Sequence, residues 1–192
     1  MVAIGEVAAF LRGPFGSSIK KSVCVPKGKS TYKVYEQGNV IQRDFERGEY
    51  YVTENKFKEL EKFELLPGDI VVTCAGTLGK IAVVPKGIEK GIINSVLMRI
   101  RVDENKILKE YFVLLFSSPE IQNRIIDKST GVAVKNMFAT SELKKFLIPL
   151  PPLVVQEKII SEMKTKQVAI DHAKELIGNL ERESILAKYL KR

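Results

Sequence analysis

Toward the end of the chain, apolar residues recur at helical spacing. Steps of three and four from Ile159 pass through Met163, Lys166, Ile170, Ala173, Ile177, Leu180, Ser184 and Ala187. Ile160, Ala169, Leu176, Leu186 and Leu190 widen this stripe, and the opposite face is charged. No proline follows Pro152 and Gly178 is the single glycine, so the spacing predicts one helix of about 38 residues, roughly 57 Å long. Such a helix is longer than a small domain needs for its own core. It either folds back on that domain or offers its stripe to an external partner. Length favours pairing, with Ile159, Met163, Ile170, Ala173, Ile177 and Leu180 as the seam. Lys166 and Ser184 depart from an ideal coiled-coil pattern.

Ahead of this helix the period alternates irregularly. The opening IGEVAAFLRGPFGSSIKKS joins a short amphipathic turn to a glycine-rich loop and then meets Lys20 and Lys21. Between Val23 and Ile41 the β-formers Tyr32, Val34 and Tyr35 predict a strand that ends at a Gly38-Asn39 turn. Phe57, Leu60 and Phe63, three apart, predict a short helix over 54–63 that stops before Pro67-Gly68. LLPGDIVVTCAGTLGKIAVVP then reads as a hairpin, with strands at 69–74 and 80–84 around a turn bounded by glycines. A further strand is expected over 92–102, with Arg99 and Arg101 on one face. Helix follows from about Lys106 to Ser117 and restarts after Pro119. A Gly131 loop, a short helix and an apolar strand at 146–150 complete this part, and Pro151-Pro152 sets an extended lead-in to the long helix. The fold class is α+β: a mixed domain at residues 1–150 and a helix at residues 151–192.

Charge adds a partner class. The chain is net +8 with a pI near 9.4. Residues 1–150 hold 23 Lys/Arg against 17 Asp/Glu, and residues 151–192 hold 8 against 6. The excess lies in the mixed domain, where basic side chains near phosphates would release condensed counterions. Lys27, Lys29 and Lys33 interleave with Tyr32 and Tyr35. That pattern suits a phosphate-and-base surface, and equally a strand edge blunted by lysine.

Catalytic chemistry finds little support. Cys24 and Cys74 lie far apart without a CxxC partner, and His172 is the only histidine. A disulfide framework, a zinc site and a histidine-based triad are therefore not expected. GTLGK has too short a spacing for a phosphate-binding loop, and Ile81 stands where Ser or Thr is required. The expectation is a binding protein with no cofactor, no metal and no catalytic residue. No apolar run is long enough for a membrane span. Glu6 falls where a cationic signal region would form. The chain reads as soluble and cytoplasmic.

Four stretches together resemble the specificity subunit of type I DNA restriction–modification systems. They are IGEVAAFLRGPFGSS, the hairpin GDIVVTCAGTLGKIAVVP with INS beyond it, STGVAVKN, and IPLPPLVVQEKI leading into the long helix. The resemblance implies a target recognition domain at 1–150 and a spacer helix at 151–192. It further implies double-stranded DNA as ligand, with methyltransferase subunits, and through them a restriction subunit, as partners. Such subunits usually alternate two recognition domains with two helices, whereas this chain has one of each. A homodimer paired through antiparallel helices would restore the two-domain arrangement. A piece of a longer chain, or pairing with a different half-subunit, would also account for it. The DNA-contacting candidates are Lys20, Lys21, Lys27, Lys29, Lys33, Thr77, Lys80, Lys128, Lys135 and Asn136. The rival reading is an adaptor that acts through its helix without specific DNA binding, its basic charge serving solubility. A nuclease or nucleotide-dependent enzyme ranks third.

Overall fold

The computed structural model describes residues 1–126 and 139–190. The chain divides into two units, Met1–Leu150 and Pro151–Arg192. In the first, β1 (Val2–Ala3), β2 (Ala8–Arg12) and β3 (Thr31–Tyr35) precede α1 (Gln37–Gln42), β4 (Tyr51–Thr53) and α2 (Glu54–Glu59). Then come β5 (Ile70–Thr73), β6 (Ile81–Val83), β7 (Gly91–Ile93), β8 (Leu97–Val102), α3 (Lys109–Ser117) and α4 (Pro119–Ile126). After α5 (Thr140–Leu143) and β9 (Leu147–Ile148), the second unit is α6 (Leu153–Leu190). The architecture is α+β, as the pattern predicts.

The central sheet has the order β2-β8-β5-β6, all antiparallel. β5 is a β-branched run, Ile70-Val71-Val72-Thr73, buried at every position, as a strand covered on both faces must be. Side-chain alternation splits the core in two. Val71, Ala82 and Leu97 join Val34, Tyr35, Val52, Ile92 and Ile93 of the sheet β4-β3-β7. On the other face Phe10, Ile70 and Ile100 are buried in register, and Phe10 meets Phe112 of α3 with ring centroids 6.4 Å apart.

Arg99 and Arg101 do share a face, and both turn toward Asp69 at the start of β5. Arg101 donates two hydrogen bonds to that carboxylate, at 2.6 and 3.0 Å. Arg99 Nε lies 4.0 Å away, and its guanidinium also donates to the Glu64 carbonyl. Asp69 in turn accepts from the Leu66 amide at 2.9 Å and closes the Leu66-Pro67-Gly68 turn. One buried carboxylate thus ties the turn before β5 to β8.

The predicted hairpin is β5-β6, with Ile70 opposite Val83 and Val72 opposite Ile81. Gly76 and Gly79 adopt φ of +69° and +73°, which side chains disfavour. Phe57, Leu60 and Phe63 are all buried, and the Thr53 hydroxyl accepts the Lys56 amide at the start of α2.

Two expectations require correction. The single strand over 92–102 is two strands in different sheets. The Asn94 side chain accepts the Val96 amide at 3.2 Å, bending the chain between β7 and β8. Gly13 lies against this bend: a Cβ there would sit 1.9 Å from the Asn94 carbonyl oxygen. Gly38-Asn39 is not a turn between strands but part of α1. The Asn39 amide donates to the Asp44 and Arg47 carbonyls, at 2.9 and 2.6 Å, and its oxygen accepts the Glu36 amide at 2.8 Å. This holds residues 44–47 against the helix. β4 is a strand that the pattern did not predict.

Neither cysteine forms a disulfide, and the two differ in environment. Cys74 is 2% exposed and burial pushes its thiol up to about 12. Cys24 is half-buried, with its thiol raised less, by burial and then by Glu36. Native protein is expected to react with a thiol reagent at Cys24 alone, Cys74 becoming reactive only in denaturant. Rapid labelling of both thiols in native protein would contradict this packing.

In the second unit the Val155 amide donates to the Pro152 carbonyl at 2.9 Å, and the Gln156 side chain donates to the Pro151 carbonyl at 2.8 Å. The helix runs 38 residues. Among the described helices none is long and apolar enough to cross a membrane.

Candidate nucleic-acid interface

Between short 3₁₀ turns and an isolated bridge, residues 20–29 place four lysines on the surface. Lys20, Lys21, Lys27 and Lys29 are all exposed. The Val25–Tyr51 bridge anchors the stretch to β4. The Thr31 hydroxyl both accepts the Gly28 amide, at 2.8 Å, and donates to the Gly28 carbonyl, at 2.9 Å, which fixes the turn carrying Lys29. An open cleft of about 560 Å³ lies here, walled by Lys21, Val25, Lys27, Gly48, Tyr50 and Tyr51. Lys21 stands over the Tyr50 ring and Lys27 over the Tyr51 ring, each ammonium 5.7 Å from the centroid. Cations and flat rings are interleaved at this cleft around Tyr50 and Tyr51; of the tyrosines that the sequence pattern favoured, Tyr35 lies under the buried Lys33 ammonium at 5.7 Å and Tyr32 under that of Lys90 at 5.8 Å.

The four lysines are not equivalent. Lys27 pairs with Glu89 at 2.7 Å, and this hydrogen bond is the main reason the Glu89 carboxyl lies below its ordinary range. Lys20 and Lys29 make no ion pair among the described residues, so their charge is available to a ligand.

Lys33 must be withdrawn as a phosphate contact. Its side chain is 0% exposed, and its ammonium donates to the Phe45 and Glu46 carbonyls at 3.1 and 2.6 Å, with Glu89 3.5 Å away. β3 is the middle strand of its sheet, so the blunted-edge reading fails for the same reason. Lys33 pins the segment after α1 onto the sheet. Glu89 therefore links one surface lysine to one interior lysine, and it also accepts a hydrogen bond from the Tyr51 hydroxyl.

Thr77 and Lys80 lie exposed at the β5-β6 turn, on a different element from the Lys20–Lys29 stretch. The turn is held from behind: the Lys80 amide donates to the Thr73 hydroxyl at 3.0 Å and the Gly79 amide to the Thr73 carbonyl at 3.0 Å. Lys128, Lys135 and Asn136 lie outside the described residues. Arg12 and Phe15 are surface candidates that the pattern left unnamed. A signal for them was present: from Val7 to Tyr35 there is no Asp or Glu at all, while Arg12 and five lysines fall in that run. Among the described residues no group of His, Cys, Asp and Glu is placed to hold a metal ion.

On α6, Met163, Ile170, Ile177 and Leu180 are 44%, 48%, 56% and 65% exposed. Ala173 is exposed as well, and Ile159 is half-buried. The apolar seam from Met163 to Leu180 is thus uncovered.

Comparison with known proteins places the sequence and the fold. The type I restriction enzyme EcoBI specificity subunit of Escherichia coli is 28% identical over 137 residues, which cover 68% of this chain and 28% of that subunit. A solved chain from work on complex assembly and conformational transition of the type I R-M system superimposes with TM-score 0.66. Its identity is 18%, and the match covers 95% of this chain and 41% of that one. The HsdS subunit from Thermoanaerobacter tengcongensis gives TM-score 0.58 at 18% identity, over 88% of this chain and 38% of its own. The fold is therefore shared, and this chain spans well under half the length of these relatives. The sequence profile of the type I restriction modification DNA specificity domain matches residues 1–182, and the chain belongs to that family.

Proposed function

We propose that this chain is a non-catalytic DNA-reading subunit of a type I restriction–modification complex. On this reading residues 1–150 recognise one half of a bipartite target, and the helix docks methyltransferase subunits and, through them, the restriction subunit, in the cytoplasm. The observation that carries it is the exposed, unpaired Lys20 and Lys29 beside the Lys21/Tyr50 and Lys27/Tyr51 cleft, in a chain of this family. Unpaired surface ammonium groups exchange counterions for phosphates without first breaking a native ion pair.

Two copies pair through the uncovered seam of α6. A two-fold axis makes both recognition units read the same half-site in opposite orientations, so the target is an interrupted inverted repeat. Helix length of roughly 57 Å, against about 3.4 Å per base pair, keeps the half-site centres within about 17 base pairs.

The test is a salt titration of DNA binding, run with the methyltransferase subunit present. Lys20→Ala together with Lys29→Ala is expected to weaken target and random duplexes alike and to flatten the log–log salt slope by about 0.9 for each phosphate left without its lysine. Discrimination between the two duplexes persists, because phosphate contacts carry no sequence information. A parent protein whose binding ignores salt would favour the adaptor reading. An unchanged slope in the double variant would move the phosphate contacts elsewhere on the unit.

A further inference from the structure

A second cleft, of about 810 Å³, opens beside the Gly13-to-Ser18 loop. Its floor is apolar, formed by Leu11, Leu60, Phe63 and Val96, and Arg12 and Phe15 stand at its wall. Phe15 is 88% exposed. Pro14 is buried behind it, and the Ser18 amide donates to the Phe15 carbonyl at 2.8 Å, so the ring is held out on a braced turn. An aromatic ring displayed this way adds nothing to the fold.

Arg12 is half-buried and has no ion pair or side-chain hydrogen bond among the described residues. A guanidinium partly removed from water without a counter-charge is poised for an anion. Glu59, the one carboxylate that lines the cleft among the described residues, is already paired with Lys56 at 2.9 Å, and Lys62 adds a further cation over the Phe63 ring. The loop runs on through Ser17, Ser18 and Ile19 into Lys20 and Lys21, so the cleft continues the cationic surface along a stretch without carboxylates. This charge balance favours a long polyanion over a protein partner.

Resting on the DNA reading above, we propose that Arg12 and Phe15 form a second contact with the duplex, in which Arg12 holds a backbone phosphate and the Phe15 ring touches an adjoining base step from the groove. The phosphate contact is ionic and the base-step contact apolar, so the two respond differently to salt.

The two halves separate by salt. A labelled random-sequence duplex is titrated at several salt concentrations with the parent chain, Arg12→Gln, Arg12→Lys and Phe15→Ala, each with the methyltransferase subunit present. Arg12→Gln is expected to flatten the slope by about 0.9 and Arg12→Lys to retain it, a rescue that a mere packing role would not produce. Phe15→Ala keeps the parent slope and binds about tenfold more weakly at every salt concentration. An unaltered slope in Arg12→Gln, or parent affinity in Phe15→Ala, overturns the assignment and leaves the Lys20/Lys29 surface standing. Parent-like DNA binding by Arg12→Gln and Phe15→Ala, with release of the methyltransferase subunit, makes this cleft a protein-docking surface and overturns the assignment too. Salt-independent binding by the parent removes the DNA reading itself, and this proposal with it.

Discussion

A chain carrying Ile170→Lys and Ile177→Lys together is expected to sediment as a monomer at micromolar concentration, and the parent as a dimer. Both side chains stand about half exposed on α6, so replacing them removes little from the folded chain, and the helical signal in circular dichroism is retained. In the proposed pairing the same positions face a second helix. Two ammonium groups per chain would then enter an apolar interface without partners, at a cost of several kcal/mol. Each 1.4 kcal/mol is tenfold in affinity, so pairing weakens by at least about a hundredfold. Methylation mapping with this variant should also lose the interrupted inverted repeat. A dimer mass that survives both substitutions would reject the seam.

Asp69→Ala is expected to lower stability by about 3 kcal/mol, because it removes a buried carboxylate that accepts two charge-assisted hydrogen bonds from the exposed Arg101 and one from the Leu66 amide. For a domain of this size that is a fall of roughly 6–12 °C in melting temperature. Three things disappear together: the two-pronged bond from Arg101, the nearby charge that faces half-buried Arg99, and the acceptor for the Leu66 amide. Asp69→Asn separates charge from shape, since it keeps an acceptor for Leu66 but offers the arginines a neutral group. Its destabilisation should be smaller but still measurable by thermal melting. A variant Asp69→Ala with the parent melting temperature would mean that the turn before β5 and strand β8 are held by packing alone.

Much of this architecture was legible because local signals agreed. In the hairpin, β-branched residues flank a turn whose Gly76 and Gly79 need positive φ, so composition and backbone geometry give the same answer. Phe57, Leu60 and Phe63 mark α2 and the 3₁₀ turn after it for a similar reason. What failed depended on neighbours distant in sequence, except for the local Asn94–Val96 bend, which the apolar residues around it hid. An apolar run from Ile92 onward does not reveal that Asn94 turns the chain from one sheet into another. Nor does Thr31–Tyr35 reveal that β3 lies between β4 and β7. A lysine on an edge strand reaches solvent, whereas Lys33 on a middle strand is turned inward to the Phe45 and Glu46 carbonyls. The candidate interface is visible in a count of cations, but a count does not separate Lys27, engaged by Glu89, from Lys20 and Lys29. The absence of carboxylates from Val7 to Tyr35 is the better signal, because it concerns the field of the whole stretch and not its individual charges.

That Lys20 and Lys29 have no ion pair among the described residues also bears on how such a protein tolerates substitution. A side chain with no native partner leaves nothing broken when it is replaced, so substitutions there stay within the small stability changes typical of open surface positions. Lys33, Glu89 and Asp69 have no such freedom, since each holds several distant segments at once. Substitutions at Lys20 and Lys29 can therefore change the charge of this surface one residue at a time without compensating mutations in the core.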